Sequence, residues 1–327
     1  MPAPPSAYPW PHERRFNAAP AYYRRKFGSR LQKVSIDAGF SCPNRDGTCG
    51  TGGCTFCNNE AFNPSYCDPA LSVREQIERG IDFQKRRYHK PARHLAYFQA
   101  FSNTHAPVEH LRALYEEALT VPNVAGLAIG TRPDCLDASK LDLLQELSQR
   151  TLVFLEIGIE SCHDRSLQRV RRGHDFACAA RAIRAAAERG LHVGTHIIFG
   201  LPGETKADWL AMAPILSALP IQALKCHQLQ LLAGTALLTD YARSPQDFFF
   251  PELEDYLDFL ADFLERLRPH IVVERCFAEA PPHLNRTPVQ WSCRNDQLLQ
   301  KLEQHLEARD TWQGRLWRQE REGSIVA

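Results

Sequence analysis

The sequence lacks any long apolar segment. No stretch approaches the roughly 18 consecutive apolar residues of a membrane-spanning helix, so we expect no membrane partner. The N-terminal residues MPAPPSAYPWPHERRF carry prolines and charges where a secretory signal peptide has its apolar core. We therefore expect a cytoplasmic location, where cysteine thiols stay reduced.

An excess of charge of one sign is also missing. The 327 residues include 39 Lys and Arg against 38 Asp and Glu. Any nucleic-acid partner would therefore be held by a local basic patch rather than by the charge of the whole chain. Hydrophobic residues make up 44% of the sequence, which is enough to bury a sizeable core and excludes global disorder.

Cysteine, in contrast, is abundant. There are 11 cysteines, an odd number, and we expect no signal peptide that would lead them to an oxidising compartment. A framework of disulfides is therefore the less favoured interpretation. Some of these thiols are better explained as metal ligands in a reducing compartment.

A rhythm of apolar runs and amphipathic segments predicts an α/β fold. Short apolar runs are typical of buried parallel strands, and the segments between them have helical periodicity. Six such units in a row predict a parallel sheet that is closed or nearly closed, that is, a partial (β/α)6 barrel. The six predicted strands cover 31–37, 94–100, 124–130, 152–159, 192–200 and 223–232.

The remaining segments divide the chain into three predicted parts. Residues 1–30 form an N-terminal arm rich in basic and aromatic residues, and residues 31–245 form the barrel. Residues 246–327 form a small C-terminal α/β extension packed on the barrel. Its predicted elements are a helix at 251–267, a strand at 270–277 and a helix near 295–309.

In parallel barrels the reactive groups lie at the C-terminal ends of the strands. A cysteine-rich loop follows the first predicted strand, and Gln99 and Glu160 end the second and fourth. Lys225 and His227 lie near the end of the sixth strand, where they would line a substrate pocket. We therefore expect the functional site at this face.

The loop FSCPNRDGTCGTGGCTFCNN predicts a three-cysteine metal centre. Cys42 is followed by eleven residues, Cys54, two residues and Cys57, so a Cys-x-x-Cys pair and an upstream thiolate can reach one centre. Its glycines, Gly47, Gly50, Gly52 and Gly53, permit positive-φ turns around that centre.

Two alternatives remain for this loop. A zinc site could use Cys49 or Cys67 as the fourth ligand, and a lone Cys-x-x-Cys pair could be a redox pair. The position of the loop after the first strand of a barrel argues against a closed zinc site, because such a site has no reason to lie at a catalytic face.

Several further motifs make a family resemblance specific. CPNRDG, GGCTFCN, AYFQA, GTRPDC, RGHDF and GLPGET resemble motifs of the YhcC/YtqA-type radical S-adenosylmethionine (radical SAM) proteins, and the likeness runs from about residue 14 to about residue 314. These proteins also resemble the radical SAM half of the elongator tRNA acetyltransferase subunit. The resemblance implies a radical SAM barrel and an enzyme.

The resemblance also implies cofactors. Cys42, Cys54 and Cys57 would bind a [4Fe–4S] cluster whose fourth iron takes the amine and carboxylate of SAM. An electron from a donor of the flavodoxin or ferredoxin type would then cleave SAM to methionine and a 5′-deoxyadenosyl radical, which abstracts hydrogen from substrate.

Three SAM contacts follow from the same resemblance. Gln99 lies where most radical SAM enzymes have a Gly-Gly-Glu motif that contacts the SAM amino group. Because this sequence departs from that motif, the contact would be made by backbone or by the Gln99 amide. Glu160 would accept from the ribose hydroxyls, with Glu156 as the alternative. Arg172 would pair with the SAM carboxylate, with its neighbour Arg171 as the alternative.

The fifth predicted strand supplies the remaining candidates. His196 would face the ribose or the substrate, or be a core histidine. Gly200 and Gly203 of GLPGET would allow close approach of the adenine side.

The substrate is less constrained. Kinship to the elongator subunit suggests a tRNA wobble uridine, which the basic aromatic arm and a second basic cluster at 84–93 could help to hold. Small-molecule or protein substrates are alternatives, as is a zinc-stabilised RNA-binding module without catalysis. The arm residues in question are Arg14, Arg15, Tyr22, Tyr23, Arg24, Arg25, Lys26 and Arg30. The sequence leaves the oligomeric state open.

Overall fold

The computed structural model describes residues 7–87 and 93–318. Residues 88–92, which belong to the predicted second basic cluster, lie outside the described residues, as do the ends of the predicted arm and extension. Within the described ranges, every helix is too short or too polar to cross a bilayer.

Strands and helices alternate along most of the chain. The strands are β1 (Leu31–Ile36), β2 (Arg93–Phe98), β3 (Val124–Thr131), β4 (Leu152–Glu160), β5 (His192–Phe199), β6 (Ala223–Gln228) and β7 (Val272–Arg275). The helices are α1 (Ala19–Phe27), α2 (Val73–Arg87), α3 (Val108–Leu119), α4 (Ala138–Ser148), α5 (Asp164–Arg169), α6 (Phe176–Glu188), α7 (Lys206–Ser217), α8 (Ala236–Arg243), α9 (Leu253–Arg266) and α10 (Asn295–Ala308).

The sheet confirms the predicted fold class. All seven strands of the described chain pair in parallel in the order β1 to β7, and the sheet curls into a half-barrel. The six predicted apolar runs coincide with β1 to β6 to within one residue at their N-terminal ends, and β3 and β4 each extend one residue beyond their runs. β7 comes from the predicted extension and hydrogen-bonds to β6, so the extension continues the sheet rather than only packing on it.

The outer face of the sheet is covered by helices. Trp209 of α7 and Phe259 and Phe263 of α9 are almost fully buried and surround Phe199 at the end of β5. Burying each such side chain contributes roughly 1.5–3 kcal/mol, which makes this aromatic cluster a major part of the outer core.

The inner face of the half-barrel is apolar at the N-terminal ends of the strands, and we call this part the floor. α1 closes the N-terminal end of the barrel, where Tyr23 packs edge-on against Phe154 with ring centroids 5.5 Å apart. The Tyr23 hydroxyl donates to Glu274 at 3.0 Å. Tyr23 of the predicted arm is therefore a buried structural residue, and it is not available to stack on a base.

A charged layer lies above this floor. Alternation along the strands turns Lys33, Glu156, Lys225 and Glu274 inward. Both lysines form ion pairs with Glu156, and Lys33 also pairs with Glu274 at 2.6 Å. Burial raises the pKa of Glu156, but the charges of Lys225 and Lys33 outweigh it and hold that pKa well below its usual range.

This layer predicts a large cost for removing one cation. Lys33→Met leaves two inward carboxylates with one lysine, so we expect the free energy of unfolding to fall by about 3 kcal/mol. Lys85→Met, which removes an exposed pair with Asp82, should cost well under about 1 kcal/mol. Urea unfolding of both variants measures the difference, and equal costs would show that the layer does not depend on charge pairing.

Candidate functional site

A cavity of about 250 Å³ opens at the C-terminal ends of the strands, above the charged layer. The structure brings seven of the predicted site residues into its lining. They are Cys42, Cys54, Cys57, Gln99, Glu160, Arg172 and His196. Lys225 and His227, expected to line a substrate pocket, also face this cavity.

Gly200 and Gly203 are placed elsewhere. Neither belongs to the lining of the cavity: Gly200 lies against Trp209, and Gly203 is exposed and donates its N–H to Asp247 at 2.7 Å. Their predicted role beside the adenine stays a prediction. The next residue, Glu204, accepts from Ser161 at 2.7 Å and so ties this loop to the end of β4.

The cysteine loop is folded by its own backbone. The amide of Cys57 donates to the carbonyl of Cys54 at 3.0 Å, which closes a tight turn at the Cys-x-x-Cys pair. Gly53 has a φ of +82°, as expected for a loop that wraps around a centre. Gly50 instead makes room for Asn44, whose side-chain oxygen would clash with a Cβ there.

Hydrogen-bond donors point at two of the three sulfurs. The Asn44 amide and the Arg172 guanidinium both lie 3.5 Å from the Cys54 sulfur, and the Arg45 guanidinium lies 3.9 Å from the Cys57 sulfur. Such donors stabilise thiolate over thiol, and they are the usual outer contacts of metal-bound sulfur. The donor set therefore fits an anionic thiolate centre.

The spacing of the thiols bears on the kind of centre. Within residues 7–87 and 93–318, no three His, Cys, Asp or Glu side chains are grouped closely enough to hold a metal ion. A single zinc ion would need sulfur ligands about 2.3 Å from one point. Cys42, Cys54 and Cys57 nevertheless line one cavity, as the ligands of a single centre must.

Arg172 enters the cavity because the preceding residue turns the chain. Arg171 has a φ of +54°, and its carbonyl accepts from Asn44 at 2.6 Å. The carbonyl of Arg172 accepts from Arg132 at 2.8 Å. Arg172 is therefore buried at the site, whereas Arg171 is exposed and lies outside the cavity lining.

Glu160 is held by Arg172 and His196. Its carboxylate lies 3.2 Å from Arg172 and 2.9 Å from Nδ1 of His196. Its φ is +71°, in the left-handed region that non-glycine residues rarely adopt, and the register of β4 and β5 shifts at this point. Burial raises the pKa of Glu160, but His196 and Arg172 outweigh it and lower that pKa to about 2.

The two histidines of the cavity, His196 and His227, lie next to each other. The ring of His196 lies 4.8 Å from that of His227, measured between centroids. Burial is the main reason that the pKa of His227 falls to about 3, and the charge of His196 adds to it. His227 is therefore neutral at pH 7.

Sequence reasoning missed several residues of this site. Asn44 and Arg132 lie inside the quoted motifs CPNRDG and GTRPDC, but their roles depend on carbonyls distant in sequence. Lys33, which pairs with Glu156, and Tyr97, which lines the cavity, were also missed. The alternation of β1 and β2 could have indicated that both point inward.

The lowered pKa of Glu160 predicts a pH-dependent contribution to stability. Its ordinary value of 4.5 applies to the unfolded chain, so the ionised group contributes up to about 3 kcal/mol at neutral pH. That contribution is complete above about pH 5 and is lost as pH falls towards about 2. Urea unfolding at pH 7, 5 and 3 should show the gap between wild type and Glu160→Gln narrowing only below pH 5. A gap that does not change with pH would contradict the ion pairing.

Comparison with protein families agrees with this geometry. A model described as the Radical SAM superfamily matches residues 46–213, and a model of the Radical_SAM C-terminal domain matches residues 221–308. The first match covers the sheet from the cysteine loop to α7, and the second begins just before β6.

Individual proteins extend the likeness. YtqA of Bacillus subtilis (strain 168) is 35% identical over 97% of this chain and 98% of its own length. The tRNA uridine(34) acetyltransferase of Dehalococcoides mccartyi (strain CBDB1) is 25% identical over 51% of this chain and 37% of its own. A solved structure of archaeal Methanocaldococcus infernus Elp3 has a similar fold, with a TM-score of 0.65 at 16% identity. That match covers 86% of this chain but only 64% of the Elp3 chain. The family models and the YtqA match show that this chain belongs to the radical SAM superfamily and is a radical SAM enzyme.

Proposed function

We propose that Cys42, Cys54 and Cys57 hold a [4Fe–4S] cluster and that the adjoining polar wall binds SAM. The observation that supports this most is that the three cysteines share one cavity with Glu160 and Arg172, under N–H donors aimed at the sulfurs. When bound, these cofactors would supply reductive cleavage of SAM and removal of a hydrogen atom from substrate.

The polar wall carries charged side chains that can bind the polar groups of SAM. Arg172 is buried and presents a guanidinium, which can take a carboxylate through two parallel hydrogen bonds. Glu160 is ionised at neutral pH, so its carboxylate oxygens can accept from ribose hydroxyls. Gln99 lies at the end of β2 with its side-chain oxygen bonded to Ser35 at 3.0 Å, which orients the amide.

The lower part of the barrel closes the site from below. The floor formed by α1 and the paired charges above it fill the interior below the cavity. A radical intermediate needs such closure, because solvent and stray hydrogen donors would quench it.

We also propose an electron donor of the flavodoxin or ferredoxin type in the cytoplasm. Arg45 and Arg171 are exposed beside the cysteine loop, where they can attract an acidic partner. A reducing compartment suits a site built on free thiols, and all eleven cysteines are free in the structure.

A tRNA uridine is the substrate class that we propose first. The distant relative named above acts on a tRNA uridine according to its name, but it matches only half of this chain. The predicted arm adds less support than expected, because α1 closes the N-terminal end of the barrel and the cavity lies at the other end. A small-molecule or protein substrate is the second candidate.

The ligand assignment predicts the effect of single cysteine replacements. Cys42→Ala, Cys54→Ala or Cys57→Ala should abolish both the brown cluster and 5′-deoxyadenosine formation, since each removes one of three iron ligands. Cys49→Ala and Cys67→Ala should leave both intact. The assay uses anaerobically purified protein with rebuilt cluster, reductant and SAM. Retention of the cluster in any of the first three variants contradicts the assignment, and a colourless zinc-loaded wild type favours the binding-module alternative.

The substrate proposal is tested in the same assay by adding bulk tRNA. We expect 5′-deoxyadenosine formation to rise severalfold with tRNA and to stay at its basal level with tRNA that has been hydrolysed to nucleotides. SAM cleavage that is indifferent to intact tRNA would favour a small-molecule or protein substrate instead.

A further inference from the structure

One wall of the cavity is formed by β6 and β7. Lys225 and Arg275 are register partners on these two strands, and both line the cavity. None of the three proposed cluster ligands belongs to these two strands, so this wall can contact the substrate.

A local irregularity turns Arg275 into the cavity. Val272 faces the barrel floor and Val273 faces the outer helices, so strict alternation would place Glu274 inward and Arg275 outward. The register of β6 and β7 shifts between Leu224 and Lys225, and both Glu274 and Arg275 then face inward. Such irregularities commonly redirect a side chain next to an active site.

Among the described residues, Arg275 also has no counter-ion. Three other cations of the lining have carboxylate partners: Lys225 with Glu156, Arg172 with Glu160, and Arg132 with Asp134. Arg45, the fourth, lies 3.9 Å from the Cys57 sulfur. In the part of the chain that the structure describes, no carboxylate lies within ion-pair distance of Arg275. Its charge nevertheless acts inside the cavity, since it contributes to lowering the pKa of His227.

The segment just after β6 carries a hydrogen-bond acceptor that also belongs to the cavity lining. The side-chain oxygen of Gln230 is buried and has no hydrogen-bond partner among the described residues, while its amide nitrogen donates to the carbonyl of Ala278 at 3.3 Å. A buried acceptor without a partner costs free energy unless a ligand supplies a donor. A ligand in the cavity that carries both an anionic group and an N–H or O–H donor can satisfy Arg275 and Gln230 together.

We propose that Arg275 forms an oxyanion subsite that binds a carboxylate or phosphate group of the substrate. The proposal rests on the proposed function in taking this cavity as the substrate site, and it adds the charge of the substrate. The guanidinium of Arg275 can bind either a carboxylate or a phosphate through two parallel hydrogen bonds. The bound anion would then supply the counter-ion that Arg275 lacks among the described residues.

Equilibrium dialysis of the full-length protein against labelled acetate and labelled inorganic phosphate tests the subsite, at an ionic strength held constant with chloride. We expect saturable binding of one anion per chain. Arg275→Gln should weaken that binding about tenfold or more, because a charge-assisted bidentate contact is lost. Arg275→Lys keeps the positive charge but loses the two parallel N–H donors, so its affinity for the anion should lie between those of wild type and Arg275→Gln.

Arg184→Gln is the matched control, because Arg184 is an exposed arginine on α6, outside the cavity. It should bind both anions as wild type does. Circular dichroism and urea unfolding establish that each variant is folded, and Arg275→Lys keeps the comparison informative should Arg275→Gln be unstable. Tighter binding of acetate identifies a carboxylate as the group recognised, and tighter binding of phosphate identifies a phosphate.

Two results would overturn the subsite. One is wild-type affinity for both anions in Arg275→Gln, and the other is the absence of saturable binding of either anion to the wild-type protein. Dialysis requires neither reductant nor SAM, so its outcome is separate from that of the 5′-deoxyadenosine assay. Anion binding that depends on Arg275 without SAM cleavage would refute the proposed chemistry alone.

Discussion

The interior of a half-barrel of parallel strands has to be filled, and in this protein two ion-paired lysines and two carboxylates fill its middle. Glu156 lies between Lys33 and Lys225, and Glu274 shares the same cations. Each carboxylate is kept ionised by the lysines beside it. Removing charges from water is costly, so the layer is stable only as a complete set. The apolar floor below and the open cavity above both depend on it.

The layer separates two environments within one barrel. Below it, Tyr23 and Phe154 form a dry floor under the α1 helix. Above it, alternation along the strands continues to turn side chains inward, but these are now polar and surround a cavity. The same periodicity of two therefore produces packing at one end of each strand and chemistry at the other.

At the cavity end of the barrel, charge pairing positions the groups that we propose as SAM contacts. Arg172 contacts the sulfur of Cys54 and the carboxylate of Glu160, so one guanidinium links the thiolate loop to the end of β4. The left-handed backbone of Glu160 persists because this ion pair, and the neighbouring bond from Ser161 to Glu204, hold the strand end in place. The strain is located where the ligand would bind.

Much of this protein could be predicted from its sequence by itself. Six apolar runs predicted six parallel strands, because strand burial is a local property. The motif that contains Cys42, Cys54 and Cys57 predicted that these cysteines come together, and they line one cavity; their role as ligands of one centre stays a prediction. Other features required the tertiary structure. β7 joins the sheet, Tyr23 fills the barrel floor and Arg172 rather than Arg171 enters the cavity. These outcomes depend on contacts between residues far apart in sequence, and on a register shift and a positive φ that each redirect a side chain without leaving a periodic signal.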